Sequence, residues 1–294
     1  MITTSIVPIL PPVIRAGTWL KNKSYFQMKH SIIHSCTVGP LISEEQFIPE
    51  HFFLYLVAGS MVVYDGNKEY TIKPGDYGIA RKNHLAKYSK RPHNGRFEKI
   101  VIFFDQPFLK TCFDEYQFAL DKTRLPDAII KMGKNPLVTY FIQSLTPYFN
   151  DQGKMEPDFH NIKRKELLLI LLKEKPALQN ILFDFGKPEK LDLQEFMNRN
   201  YKFNVTLERF AYLTGRSLSA FKRDFQQTFN DTPGNWLIQK RLHEAHFQIN
   251  NKGKKPSDIY LDLGFEDLSH FSFAFKKLFG HSPTTLTDRN KTGS

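Results

Sequence analysis

The sequence predicts an α+β protein: a small β-barrel first, helices after it, and an all-helical last third in which two helix-turn-helix units are joined by a linking helix. Three observations carry that expectation. Short Val-, Ile-, Phe- and Tyr-rich runs separated by Gly, Pro and Asp-Gly turns fill residues 47–104, and short strands at such spacing build sandwiches and barrels. Apolar residues then recur at i, i+3, i+4 intervals through residues 107–185, which is the helical period. Finally, one Phe-spaced segment occurs twice, fifty positions apart: Ser219, Phe221, Phe225, Phe229 and Pro233 fall on Ser269, Phe271, Phe275, Phe279 and Pro283.

Composition bounds the rest. At 294 residues the length suggests about two domains. A hydrophobic content of 41% with 27 Phe supplies a core and excludes global disorder. The net charge of +11 invites a polyanionic partner without naming one. Residues 191–294 hold 15 Lys+Arg against 11 Asp+Glu, and residues 1–190 hold 26 against 19, so basicity is spread along the chain. A nucleic-acid assignment must therefore rest on motif geometry. Cys36 and Cys112 form no framework and no CxxC, as expected for reduced packing residues in a cytoplasmic protein. Met1 to Ile14 lacks a basic start, and Pro8, Pro11 and Pro12 break its apolar run, unlike a signal peptide. The aliphatic run Leu167–Leu172 falls far short of the roughly 20 residues that span a bilayer. No membrane partner is expected.

In the first hundred residues, strands are expected at Phe52–Val57, Ser60–Tyr64, Glu69–Ile72, Tyr77–Ala80 and Lys99–Phe104. Asp65-Gly66 between two of them signals a hairpin. The stretch Leu54–Ala80, with Lys73-Pro74-Gly75-Asp76 between strands and His84 following, resembles the cupin-like sensory domains that precede certain DNA-binding domains. That resemblance implies a sensor of a small molecule or of a protein effector, and no residue is singled out to bind it. Metal-binding relatives of that fold present His-x-His and Glu together. Here His51 has no His two positions away, Glu50 would point to the opposite face of a strand, and His84 and His93 sit in a basic stretch. No metal site and no cofactor is expected.

The middle region predicts helices at Pro107–Leu120, Pro126–Met132, Leu137–Tyr148 and Phe159–Lys173, broken at Pro136, Gly153 and Pro176. Leu167–Leu172, following Glu166, is apolar all round and must be covered by other helices or by a second subunit. Phe183–Pro188 is turn-rich. It sets the expected boundary between a first domain at 1–185, sensory by the resemblance above and expected to dimerise, and a helical second domain at 186–294.

The last third is the most informative. Asp192 with Glu195 starts a helix through Arg199. Thr206 caps Leu207–Leu213, Gly215 turns the chain, and Ser217 caps a helix from Leu218 to about Thr228. Thr232-Pro233 opens the linking helix Gly234–Ile249. Ser257–Leu263, a turn at Gly264-Phe265, and Leu268–Phe279 capped by Asp267 repeat the unit. The two helix-turn-helix units thus run over about 207–228 and 257–279.

These residues carry a second resemblance. Leu207, Ala211, Gly215, Ser217, Phe221, Phe225, Pro233, Trp236, Leu237, Arg241, Leu242 and Ala245 fit in order, followed by Ile259, Gly264-Phe265, Ser269, Phe271, Phe275-Lys276-Lys277, Gly280 and Ser282-Pro283. With them, residues 191–287 closely resemble the DNA-binding domain of AraC/XylS-type transcriptional regulators. The resemblance implies a regulator of double-stranded DNA, an activator more than a repressor, with RNA polymerase as a partner and a homodimer as an expected state.

The faces opposite the Phe stripes are then the expected reading surfaces. Ser219, Lys222 and Arg223 on the first unit and Ser269, His270 and Phe273 on the second are assigned to bases, and Arg216, Gln226, Lys276 and Lys277 to phosphates. Lys and Arg suit guanine O6/N7. Many members of the family carry a polar or basic group where Phe273 stands, and Phe can touch a thymine methyl but donates no hydrogen bond. The first unit is therefore expected to dominate base discrimination. The competing class, a cupin-fold enzyme, would need a convergent metal or acid/base set that the sequence does not offer.

Overall fold

The computed structural model of the protein describes residues 32–36, 46–118, 127–149 and 155–286. In chain order it opens with β1 (Ile32–Cys36), β2 (Phe47–Ile48), β3 (His51–Ala58), β4 (Ser60–Tyr64), β5 (Glu69–Ile72), β6 (Tyr77–Ala80), β7 (His84–Leu85), β8 (Lys87–Arg91) and β9 (Glu98–Phe104). Next come α1 (Gln106–Tyr116), β10 (Ile129–Lys131), α2 (Pro136–Ser144), α3 (Pro157–Glu174) and α4 (Gln179–Leu182). The last third is helical: α5 (Leu193–Asn200), α6 (Leu207–Leu213), α7 (Leu218–Phe229), α8 (Pro233–Lys252), α9 (Pro256–Ile259) and α10 (Leu268–Phe279).

The organising layer is an antiparallel five-stranded sheet of order β1-β9-β3-β6-β10. Both of its faces are covered, which is why β3 reads as almost continuously apolar rather than alternating. Phe53, Tyr55 and Val57 face α1–α4, whereas Phe52, Leu54 and Leu56 face the small sheets β5-β4-β8 and β2-β7. The three sheets enclose Leu56, Met61, Val63, Ile72 and Phe97, an open form of the expected barrel. Leu167, Leu168, Leu171 and Leu172 of α3 are buried in the helix-side core, so most of the aliphatic run is covered within the chain, and Leu169 is exposed.

Several expectations shift. Residues 129–131, expected within a helix, form β10, because the β-branched pair Ile129-Ile130 completes the sheet along β6. Pro136 starts α2 at its first turn instead of breaking a helix, with the Asn135 side chain accepting from the Leu137 N–H. The expected helix 257–263 is shorter, α9 continuing as turns to Gly264. Phe183 and Phe185, in the expected hinge, pack against Phe113. The expectations for Met1–Ile14, Leu120, Pro126, Gly153 and Arg289–Ser294 lie outside the described residues. Among those described, no helix is long and apolar enough to cross a membrane, and Cys112 is a buried free thiol.

Candidate nucleic-acid interface

Helices α7 and α10 are each started by their own side-chain cap and ended by a left-handed residue. Ser217 Oγ accepts from the Ala220 N–H at 3.2 Å and Asp267 Oδ1 from the His270 N–H at 2.6 Å. Asn230 and Gly280 close α7 and α10 at φ of 52° and 79°, a conformation open mainly to Gly and Asn. Between them Phe221, Phe225, Phe271 and Phe275 are wholly buried. Phe225 continues to Phe229 at 4.4 Å between ring centres, and Phe275 to Phe279 at 4.6 Å. The fifty-residue repeat is thus a repeat of packing. Because the buried stripe fixes each helix's rotation, the opposite face must point to solvent.

Ser219, Lys222, Arg223 and Gln226 are all exposed on α7, as are Ser269, His270, Phe273, Lys276 and Lys277 on α10. The Arg223 side chain is 70% exposed, with only a 3.4 Å contact to Asp224. Lys222, Arg223 and Gln226 line a groove with Leu207 and the first turn of α8, Thr232 to Gly234. Arg216, expected at a phosphate, is held within the fold instead. Its side chain is 8% exposed, its Nε donates to Asp224 Oδ2 at 3.0 Å, and its Nη1 donates to the carbonyls of Leu191 and Thr214. The hydrogen bond from Arg216 holds the Asp224 carboxyl below the usual range. An arginine so engaged braces the turn before α7 and is turned away from a phosphate.

The two units are tied together by a residue whose role the sequence did not disclose. Arg241 on α8 is buried, and its Nε and Nη2 donate to the Tyr201 and Phe203 carbonyls at 2.7 Å each, while Nη1 reaches the Gly264 carbonyl at 2.9 Å. The first two acceptors follow α5, beside the first unit, and the third is the turn of the second. Burial lowers the Arg241 pKa to about 10, so it remains charged at neutral pH. Gly264 sits at φ +87°, and a Cβ there would lie 2.9 Å from Arg241 Cζ and from the Lys202 carbonyl. Only glycine admits both the backbone and the guanidinium. Asn204 Nδ2 adds a 3.1 Å bond to Glu266 across the same junction.

The first half of the chain also enters this region. Phe47 of β2 and Leu85 of β7 belong to the same buried cluster as Met197, Phe203, Phe210 and Phe221. The Arg209 guanidinium lies 3.7 Å from the Phe47 ring centre, and Tyr64 stacks on Phe203 at 5.7 Å. Gln46 Oε1 accepts from the Asn204 N–H at 2.9 Å, and the Tyr212 hydroxyl donates to Asn83 Oδ1 at 3.1 Å. Lys87 donates to the Asp262 carbonyl of the second unit, with its pKa lowered to about 8 by burial. None of these contacts uses an assigned reading residue.

His51, His84 and His93 stand apart from one another in their surroundings. His51 is buried, and burial, then the nearby charges of Lys82 and Arg81, hold its pKa well below the usual value. His84 lies on β7 and His93 in a turn bridged to Arg96. Among the described residues no three His, Cys, Asp or Glu come together as a metal-ligand group.

Comparison with known proteins bears on both halves. Residues 51–181 match the family described as the ExsA N-terminal regulatory domain, and residues 210–289 match a helix-turn-helix domain family. The HTH-type transcriptional regulator ExsA of Pseudomonas aeruginosa is 23% identical over 236 residues, 78% of this chain and 83% of its own. The virulence regulon transcriptional activator VirF of Yersinia enterocolitica is 25% identical over 183 residues, 60% of this chain and 67% of its own. Among solved structures, an apo ToxT variant from Vibrio cholerae aligns at a TM-score of 0.42 and 14% identity, covering 87% of this chain and 97% of that one.

Proposed function

Because this chain is an AraC-type DNA-binding transcription regulator, we propose that it activates transcription by setting α7 and α10 into successive major grooves on one side of a duplex. One observation carries the proposal: two helices with matching buried Phe stripes and outward faces that carry polar and basic groups, tied into one frame by Arg241. The scale suits it, since α8 has 20 residues and rises about 30 Å, against about 34 Å between grooves on one side of B-DNA.

In this reading Lys222 and Arg223 donate to guanine O6/N7, and Ser219 contacts an adjoining base edge. Ser269, His270 and Phe273 face the second groove, while Gln226, Lys276 and Lys277 hold phosphates. Residues 186–294 read DNA. Residues 1–185, of which 51–181 match a regulatory-domain family, receive the controlling signal from a small molecule or a protein and pair two copies of the chain. The sense of regulation follows relatives named as activators, which brings in RNA polymerase as partner and a cytoplasmic location.

The test is selection of bound duplexes from a random pool with the full-length chain, then titration of variants. A two-part site is expected, with its halves about one helical turn apart. Replacing Arg223 by Ala should cost about 1–3 kcal/mol and relax preference at one base pair. Replacing Lys276 by Ala should weaken all sequences alike and lower the salt slope by about one. The reverse ranking, with Lys276 selective and Arg223 uniform, overturns the assignment.

A further inference from the structure

Among the described residues, Phe273 is the most exposed large apolar side chain, at 71%, and it stands in the middle of the α10 reading face. In the aromatic stack beneath it, by contrast, Phe271 and Phe275 are wholly buried. One turn before it lie Ser269 and His270, and one turn after it Lys276 and Lys277, all exposed. A single apolar spot enclosed by donors and cations fits a polyanion that carries an apolar point among acceptors. The major groove offers that point in the C5-methyl group of thymine.

The repeat sharpens the assignment. Fifty positions back, the same helical site holds Arg223, which is 70% exposed. The two units thus present opposite chemistries at one register: a donor fork on α7 and an apolar ring on α10. We infer that Phe273 reads the second half-site by contact with a thymine methyl, so that discrimination there depends on the methyl group and not on a hydrogen bond. This rests on the two-groove reading above and names what its second helix recognises. Uracil pairs as thymine does but lacks the methyl, and 5-methylcytosine carries the methyl on another base, so the group can be moved without disturbing the duplex.

The experiment uses the full-length chain and the duplex it selects. Each thymine of the α10 half-site is replaced in turn by deoxyuridine, and binding is measured at fixed salt. Wild type should lose about threefold to tenfold at one or two positions. The Phe273→Ala variant should bind the thymine duplex with the same loss and be indifferent to the methyl. The Phe273→Leu variant should keep part of the dependence, and Phe273→Arg should move the preference at that position to guanine. With 5-methylcytosine at the sensitive position, wild type should bind more tightly than with cytosine. The inference is overturned if no deoxyuridine in that half changes wild-type binding, or if Phe273→Ala keeps the wild-type dependence. In either case a two-part site would still stand for the parent reading. If the full-length chain selects no site, both fall together.

Discussion

Arg241 occupies a place where an apolar residue would be expected. It lies at i+4 spacing with Leu237, Ala245 and Ile249, all buried on one stripe of α8. An arginine there is tolerated because three backbone carbonyls, at Tyr201, Phe203 and Gly264, accept from its fork. Removing it would strand those acceptors out of reach of water. Arg241→Met should therefore lose about 2–4 kcal/mol in urea denaturation. Arg241→Lys should recover little, since one ammonium cannot serve three carbonyls in that geometry. The same variant should lose more affinity for a two-part site than for either half alone, because the units would no longer be held in one frame. A loss below about 0.5 kcal/mol, the range of an ordinary surface substitution, would refute this role. The anomaly itself was legible as a charge on an apolar stripe, but its acceptors were not, since backbone carbonyls leave no mark in a sequence. Arg216 shows the converse error. A cation just before α7 looks like a phosphate contact until Asp224, eight residues on, is seen to hold it.

At the scale of elements, what the sequence disclosed were the helices whose ends are set locally. Thr206, Ser217 and Asp267 each accept from a backbone N–H three residues on, and the helices they start were expected at the observed positions. Strands β7, β8 and β10 were not, because their pairing partners lie elsewhere in the chain. The sequence of β8, Lys87 to Arg91, is polar enough to pass for a loop, as edge strands often are. β7 also places a titratable group. His84 donates from Nδ1 to the Lys82 carbonyl at 2.8 Å, and burial, followed by the charge of Arg81, lowers its pKa to about 4. The unfolded chain takes up this proton near pH 6.5 and the native chain only near pH 4. Between those values the unfolded state binds more protons, so stability falls as pH drops through the window. His51, with its pKa held well below the usual value, acts in the same direction. Urea midpoints taken from pH 7 to pH 4 should decline, and His84→Gln should flatten the decline. An unchanged slope in the variant would remove His84 from the account.

The whole molecule is joined more tightly than a sensor tethered to a reader would be. Phe47 and Leu85 are 5% and 4% exposed, and what covers them includes the core of the first helix-turn-helix unit. Lys87 meanwhile reaches Asp262 in the second unit. A change in β2 or β7 is therefore felt directly beneath α6 and α7, with no need of a flexible linker to carry it. Shared burial also implies shared unfolding, since neither side keeps its core when the other is lost. Phe47→Ala should cost about 3 kcal/mol or more through the cavity it leaves, although the residue lies some 170 positions from α7, whose core it shares. With Trp19 replaced by Phe, so that Trp236 is the one remaining tryptophan, the chain should melt in one cooperative transition, followed by near-UV dichroism and by Trp236 fluorescence together. In Phe47→Ala the two signals should separate, the fluorescence shifting to lower temperature because Trp236 packs on Phe225 and Phe229. Should the variant leave the Trp236 transition where it was, Phe47 would be a residue of the barrel alone, and the coupling drawn from the shared core would be wrong.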